Sequence, residues 1–235
     1  LPMLHTIKSS RDFADGGNSM DCLNTQQMKE MVLYVAQHMI ENRDFLSEID
    51  RKIGDGDHGI GISNGFEAVC KNLRQSRPAS INDVFRIAGM SLLNSMGGAS
   101  GVIFGVMFLS AYKQKEVILC TDVETFGREM GNSLDAVKLK GKANLGDKTM
   151  VDAFEPAVEA IRGCTGNDFA ITLKEAADAA YEGVQNTKKY AASVGRAKFL
   201  NQRSVGFQDA GATSVWLIFK YMHEWAEGRM HDHAF

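Results

Sequence analysis

Hydrophobic positions along this chain recur with a helical period. Met28, Met31, Val32, Val35 and Met39 form one stripe at spacings of three and four, and Val151, Phe154, Val158 and Ile161 form another. The pattern predicts helices near 25–41, 43–52, 60–74, 81–96, 101–116, 122–139, 148–163, 172–192 and 210–227. Thr121-x-x-Glu124 and Thr172-x-x-Glu175 read as capping boxes, and Ser80-x-x-Asp83 as a further start signal. Pro156 falls inside a predicted helix and is expected to kink it. No segment alternates as a strand does, Val117-Ile118-Leu119 being the nearest approach. The reading is a single all-α domain of about eight or nine helices, whose short connections favour antiparallel neighbours.

Composition narrows this picture. A chain of 235 residues with 44% hydrophobic content can bury one sizeable core without a second domain. A net charge of −3 supplies no basic field for nucleic acid. No apolar run approaches the roughly 18 residues of a membrane span. Residues 1–20 are polar and aperiodic and read as a flexible extension, with the domain expected over 21–230. Cys22, Cys70, Cys120 and Cys164 are widely spaced and are expected to be free, mostly buried thiols in a reducing cytoplasm.

Glycine gathers at the predicted helix junctions rather than singly at helix ends. The segment Asp50-Arg51-Lys52-Ile53-Gly54-Asp55-Gly56-Asp57-His58-Gly59 places three carboxylates in and beside a glycine turn. Converging carboxylates repel one another and raise each other's pKa, which a hard cation offsets. Mg²⁺ takes a few carboxylates and leaves positions for water and phosphate oxygens. A helix begins just after the turn, so its first amides favour a phosphate beside the metal. The plain alternative is a solvated acidic turn. An EF-hand is excluded, because loop position twelve counted from Asp55 is Phe66. His58 either meets a phosphate or caps the turn, and spacing favours the structural role.

Three other junctions offer anion sites. Met96-Gly97-Gly98-Ala99-Ser100-Gly101 puts Ser100 at or near an N-cap. Gly141-Lys142-Ala143-Asn144-Leu145-Gly146-Asp147-Lys148-Thr149-Met150 is not a P-loop, since Asp147 intrudes before Lys148 and no strand precedes. It reads as a loop into a helix capped by Asp147, with Lys142 and Lys148 as usable cations. Gly195-Arg196-Ala197 and Gln208-Asp209-Ala210-Gly211-Ala212-Thr213 bracket a polar connection in which an Arg can grip phosphate or form a surface salt bridge.

Taken in order, I-G-D-G-D-H-G, G-G-A-S-G, K-G-K-A…G-D-K-T-M-x-D and G-R-A…R-S-x-G-x-Q-D-x-G-A-T-S resemble the L subunit of dihydroxyacetone kinases, over about residues 25–225. The resemblance implies a barrel of eight antiparallel helices with ADP or ATP at one rim. It implies that Asp50, Asp55 and Asp57 hold two Mg²⁺ ions. The implied nucleotide contacts are His58, Gly59, Ile60, Gly61, Ala99, Ser100, Gly141, Met150, Arg196, Asp209, Ala210 and Gly211, with His58 and Arg196 as the catalytic candidates. Relatives commonly carry Asn or Thr where this chain has Gly61, so one side-chain contact is expected to be missing. The implied partner is a K-type subunit that holds the ketose on a histidine. An M-type phosphoprotein and a homodimer are further implied associations.

Two regimes fit these residues, exchange of ATP at each turnover and a resident ADP rephosphorylated by the phosphoprotein. Two other classes fit the acidic turn alone. A D-x-D phosphohydrolase would use Asp55 as nucleophile, and a helical binding module would use the turn as a structural metal site.

Overall fold

Asn24 starts the first helix by a reciprocal exchange: its side chain accepts from Gln27 N, and the Gln27 side chain accepts from Asn24 N. Helix α1 (Thr25–Glu41) follows, then α2 (Arg43–Arg51), α3 (His58–Gln75), α4 (Ile81–Ser95) and α5 (Gly98–Ser110). The second half contains α6 (Val123–Gly141), α7 (Val151–Gly163), α8 (Phe169–Thr187) and α9 (Ala210–Asp232), with a 3-10 segment, Arg196–Ser204, before the last. The structure, a computed structural model, describes residues 20–232, with side chains except at 196 and 230–232. The extension expected over residues 1–20 therefore lies, apart from Met20, outside the described residues.

The helices close a ring. Each packs on the next in the order α1, α3, α4, α5, α6, α7, α8, α9, and α9 returns to α1. Short α2 lies outside this ring of eight, against α3 and α9. The expected all-α barrel is what forms, and both sequence stripes face its core: Met28, Met31, Val32, Val35 and Met39 of α1 and Val151, Phe154, Val158 and Ile161 of α7 are buried. Aromatic pairs such as Phe66–Phe108 and Phe154–Phe219, with centroids 6.3 and 6.1 Å apart, tie next-but-one helices of the ring, α3 to α5 and α7 to α9.

Helix starts differ from the expected ones where an aspartate outcompetes a threonine. Asp122 accepts from Thr125 N at 2.8 Å and caps α6, while Asp168 accepts from Ala170 N at 2.8 Å and caps α8. A carboxylate satisfies a free amide and also complements the helix dipole. Thr121 is instead buried against the Tyr112 hydroxyl, 2.7 Å away, and Thr172 lies inside α8. Ser80 caps α4 as its spacing predicted. Helix α5 stops at Ser110, short of the predicted 116, because the Asn82 amide gathers the carbonyls of Tyr112, Gln114 and Glu116 into a loop.

Helix α7 continues through Pro156. The proline withholds the amide that Asp152 O would otherwise accept. That carbonyl faces α8 at Gly183, where a Cβ would collide with it.

Two cysteines correct the expected set of free thiols. Leu23–Asn24 (β1) pairs antiparallel with Cys120–Thr121 (β2), which brings Cys22 and Cys120 to a Cα separation of 6.2 Å and into a disulfide. They are 98 residues apart, so no spacing motif announces the pair. Cys70 and Cys164 are free. The inference of a reducing compartment from unpaired thiols thus loses half its basis. Among the described residues, no helix is long and apolar enough to cross a membrane.

Gly183→Ala is expected to lower unfolding free energy by about 1–3 kcal/mol through overpacking against α7. Gly228→Ala, on an exposed and open stretch of α9, should raise it by about 0.5–1 kcal/mol. Urea titrations of the two variants check both signs.

Candidate metal centre

The turn after α2 is wound around one carboxylate. Ile53 N and Gly54 N donate to Asp50 O, at 3.1 and 2.5 Å. The chain then reverses through Gly56, whose φ of +79° suits a residue without Cβ. Gly56 N and His58 N return to the Asp50 side chain, donating to Oδ2 at 2.8 and 3.4 Å. Asp50, Asp55 and Asp57 each thereby offer an oxygen within 4.8 Å of the others. Asp50 is half-buried and the other two are exposed. Three hard anionic donors at this separation suit Mg²⁺, which keeps its remaining positions open. Helix α2 precedes Asp55, whereas a phosphatase-type D-x-D nucleophile follows a buried strand.

Helix α3 starts at His58, but the imidazole turns into the wall. Its Nε2 lies 2.8 Å from Ser214 Oγ on α9, and Ser214 donates onward to Ala210 O. Burial lowers the His58 pKa to about 4, although the nearby Asp50 charge and the Ala210 carbonyl, as a hydrogen-bond acceptor, act to raise it. The ring is therefore neutral at neutral pH and ties α3 to α9. Gly59 is buried because a Cβ would strike Arg43 O and Ser47 of α2. Ile60 is exposed, and Gly61 N donates to Asp57 O. A Cβ on Gly61 would stand 3.1 Å from Met96 O, so the missing side chain lets the start of α5 sit close to α3.

At that start Gly97 is the cap, with φ +71°, and Ser100, expected at or near the cap, is the third helical residue. Gly101 N makes the first turn's bond, to Gly97 O at 3.0 Å. The amides of Gly98, Ala99 and Ser100 precede it, and these residues are exposed. Gly141 ends α6 and lies near Ile103 of α5.

The next loop departs from expectation. Met150, not Asp147, is the cap of α7, and buried Asp152 folds back to accept from Gly146 N and Thr149 N, both at 2.6 Å. Asp147 accepts from Asn144 N at 2.7 Å and from Ser193 Oγ at 2.5 Å. Lys148 is not available to a ligand: it is buried, and its ammonium donates to Thr187 O and Phe207 O, each at 2.5 Å. Burial lowers its pKa, opposed by the charges of Asp209 and Asp152. Lys142 is exposed.

Arg196 opens the 3-10 segment, and its side chain lies outside the described residues. Asp209 starts α9 by accepting from Ala212 N at 2.7 Å. Burial raises its pKa to about 7; the charges of Asp152 and Asp50 add to the rise, and the Ala212 amide and Lys148 oppose it. Ala210 is buried, and Gly211 sits against Met150, where a Cβ would come within 3.5 Å. The rim thus joins the 50–58 turn to the starts of α5 and α9 and the 141–150 loop. Lys148 and Asp152 both fall in the G-D-K-T-M-x-D stretch, but nothing in it marks their burial or the bond from Lys148 to Thr187 O, since buried and exposed charges look alike in sequence.

The DAK2 domain matches residues 52–224. The ADP-binding subunit DhaL of PEP-dependent dihydroxyacetone kinase 1 from Listeria innocua is 38% identical over 184 residues, which cover 77% of this chain and 87% of that subunit. The ADP-binding subunit DhaL of the Escherichia coli PEP-dependent dihydroxyacetone kinase is 35% identical, over 76% of this chain and 86% of its own length. The dihydroxyacetone kinase from C. freundii, solved in complex with AMP-PNP and Mg²⁺, superposes with a TM-score of 0.67 at 25% identity. The match covers 95% of this chain but 38% of that kinase.

The neutral, buried His58 makes stability depend on pH. The unfolded chain takes up a proton on His58 below about pH 6.5, while the folded one does not until about 4. This contribution is complete at pH 7 and is lost on acidification. Metal-free wild type should therefore lose about 2 kcal/mol more than His58→Gln between pH 7 and 5. The opposite contribution of Asp209 is common to both proteins and cancels. Parallel pH profiles in urea titrations would contradict this assignment.

Proposed function

This chain belongs to the DAK2-domain family, that of the dihydroxyacetone kinases, and from that premise we propose that it is the nucleotide-binding subunit of a Mg²⁺-dependent ketose kinase. The observation that carries the reading is the convergence of Asp50, Asp55 and Asp57 within 4.8 Å on a rim that also exposes the start of α5.

In this reading the three aspartates hold two Mg²⁺ ions, which neutralise phosphate charge when bound. The amides of Ala99 and Ser100 donate to phosphate oxygens, as the first turn of a helix is suited to do. Gly59, Ile60 and Gly61 flank the metal ligands. Gly141, Met150, Ala210 and Gly211 frame the nucleotide with backbone, and Arg196 counters its charge. His58 acts by fixing α3 to α9, because its ring is engaged with Ser214 and neutral. Asp209 anchors the first turn of α9. Catalysis by such a site is alignment and charge stabilisation, with little covalent work for the protein.

The ketose belongs on a K-type partner subunit, with dihydroxyacetone as the default and short ketoses of about three to five carbons as the class. The reaction centre forms between the subunits. The PEP-dependent names of the bacterial relatives favour a resident ADP recharged by an M-type phosphoprotein. Such a system operates in the cytoplasm.

Calorimetric titration with ADP and Mg²⁺ tests the reading. Wild type should bind, and Asp55→Ala should bind at least about tenfold more weakly, the equivalent of about 1.4 kcal/mol. Absence of binding to wild type would sink the kinase reading, and equal binding by both proteins would sink the metal assignment. Turnover with a K partner, ATP and Mg²⁺ but no phosphoprotein would exclude strict dependence on the M-type donor.

A further inference from the structure

Lys148 combines features that are each unfavourable alone. It has a φ of +61°, a left-handed conformation that a residue with a Cβ adopts at a cost. Its side chain is 2% exposed, so a strongly hydrated ammonium has been taken out of water. What compensates is a pair of 2.5 Å donations to main-chain carbonyls from two separate segments, Thr187 at the end of α8 and Phe207 just before α9.

Those acceptors bracket the start of α9. The Thr187 hydroxyl also accepts from Asp209 N at 3.1 Å. Thr187 thus holds Lys148 through its carbonyl and Asp209 through its side chain. Two residues after Lys148, Met150 packs on Gly211. The stretch 148–150 therefore runs beside 207–211 and touches it at both ends. The same loop holds the other limb of the connection between α8 and α9, for Ser193 Oγ donates to Asp147 Oδ1 at 2.5 Å. The connection is closed at its neck by Gly206 N donating to Lys188 O at 2.8 Å.

We propose that Lys148 is a positioning residue for the nucleotide, pinning the 188–207 strap to α8 so that the first turn of α9 keeps its place beside Asp50. This rests on the kinase reading above. Removal of the ammonium leaves the Phe207 carbonyl without this donor and the Thr187 carbonyl with Tyr190 N, at 3.3 Å, and the strap then swings with Asp209 and Gly211 attached to it.

The test compares wild type with Lys148→Met in the full chain, well below the unfolding temperature of either. Release of fluorescently labelled ADP in the presence of Mg²⁺ is followed by stopped flow, and amide hydrogen exchange is followed without nucleotide. Release is expected to be at least about tenfold faster in the variant, with faster exchange confined to 188–211 and none added in α4. Unchanged release, even with a lower unfolding temperature, would make Lys148 a staple of the fold alone and overturn the proposal. Faster release with unchanged exchange in 188–211 would overturn the pinning. If wild type itself binds no labelled ADP, the kinase reading has failed; the nucleotide role falls with it, and exchange still decides the pin. Should Lys148→Met not fold, Lys148→Gln, which keeps a shorter donor, is read by the same measurements: faster release than wild type with faster exchange in 188–211 supports the pin, and unchanged release overturns it.

Discussion

Three carboxylates held within 4.8 Å of one another repel, and the α2–α3 turn keeps them there by hydrogen bonding. The device is Asp50, whose carboxylate is the hub for the amides of Gly56 and His58. Main-chain donors fix the position of that one anion, and the turn's curvature then fixes the other two. A cation is the natural complement of such a site, since it converts mutual repulsion into shared attraction. The features of the rim follow from this. The glycines permit the curvature, α3 begins where the curvature ends, and His58 gives its amide to Asp50 and its ring to Ser214 in the wall.

Around that hub the protein spaces its charges rather than piling them up. His58 is held neutral, which keeps a second cation from competing with a metal at the same place. Asp209 sits close enough to Asp50 and Asp152 for their charges to raise its pKa, while Lys148, buried behind it, opposes the rise. The result is an acidic front with the Lys148 ammonium buried behind it. In the proposed reading, metal ions, helix-start amides and Arg196 draw a nucleotide phosphate to such a front, in keeping with the absence of a global basic field at a net charge of −3.

Much of this was legible in the sequence because the relevant signals are local. Helical stripes at three and four residue spacing located the core faces of α1 and α7, and three aspartates interleaved with glycine located the turn. The misses are of another kind. Thr121 and Thr172 looked like caps, but a neighbouring aspartate had the stronger claim on the free amides. Lys148 and Lys142 look equivalent as letters; one is sealed between α8 and α9 and the other faces water, a distinction set by packing from residues 39 and 59 positions away. Ser100 lies near the start of α5 as expected, but the cap itself is Gly97, where positive-φ glycines begin the helix. Cys22 and Cys120 could not be paired from spacing, since only the folded ring makes them neighbours.

The ring is completed by its most distant members, α9 against α1, so its final seam joins the two ends of the domain. Closure of that kind comes late, because the entropy of a long loop must be given up before the contact repays it. The candidate metal centre lies beside this seam: Asp50, near the end of α2, is on one bank, Asp209, just before α9, is on the other, and the His58–Ser214 hydrogen bond joins α3 to α9. A ligand gripping both banks would act as a clasp on the barrel itself, and loss of that ligand would be felt first as a loosening of α9.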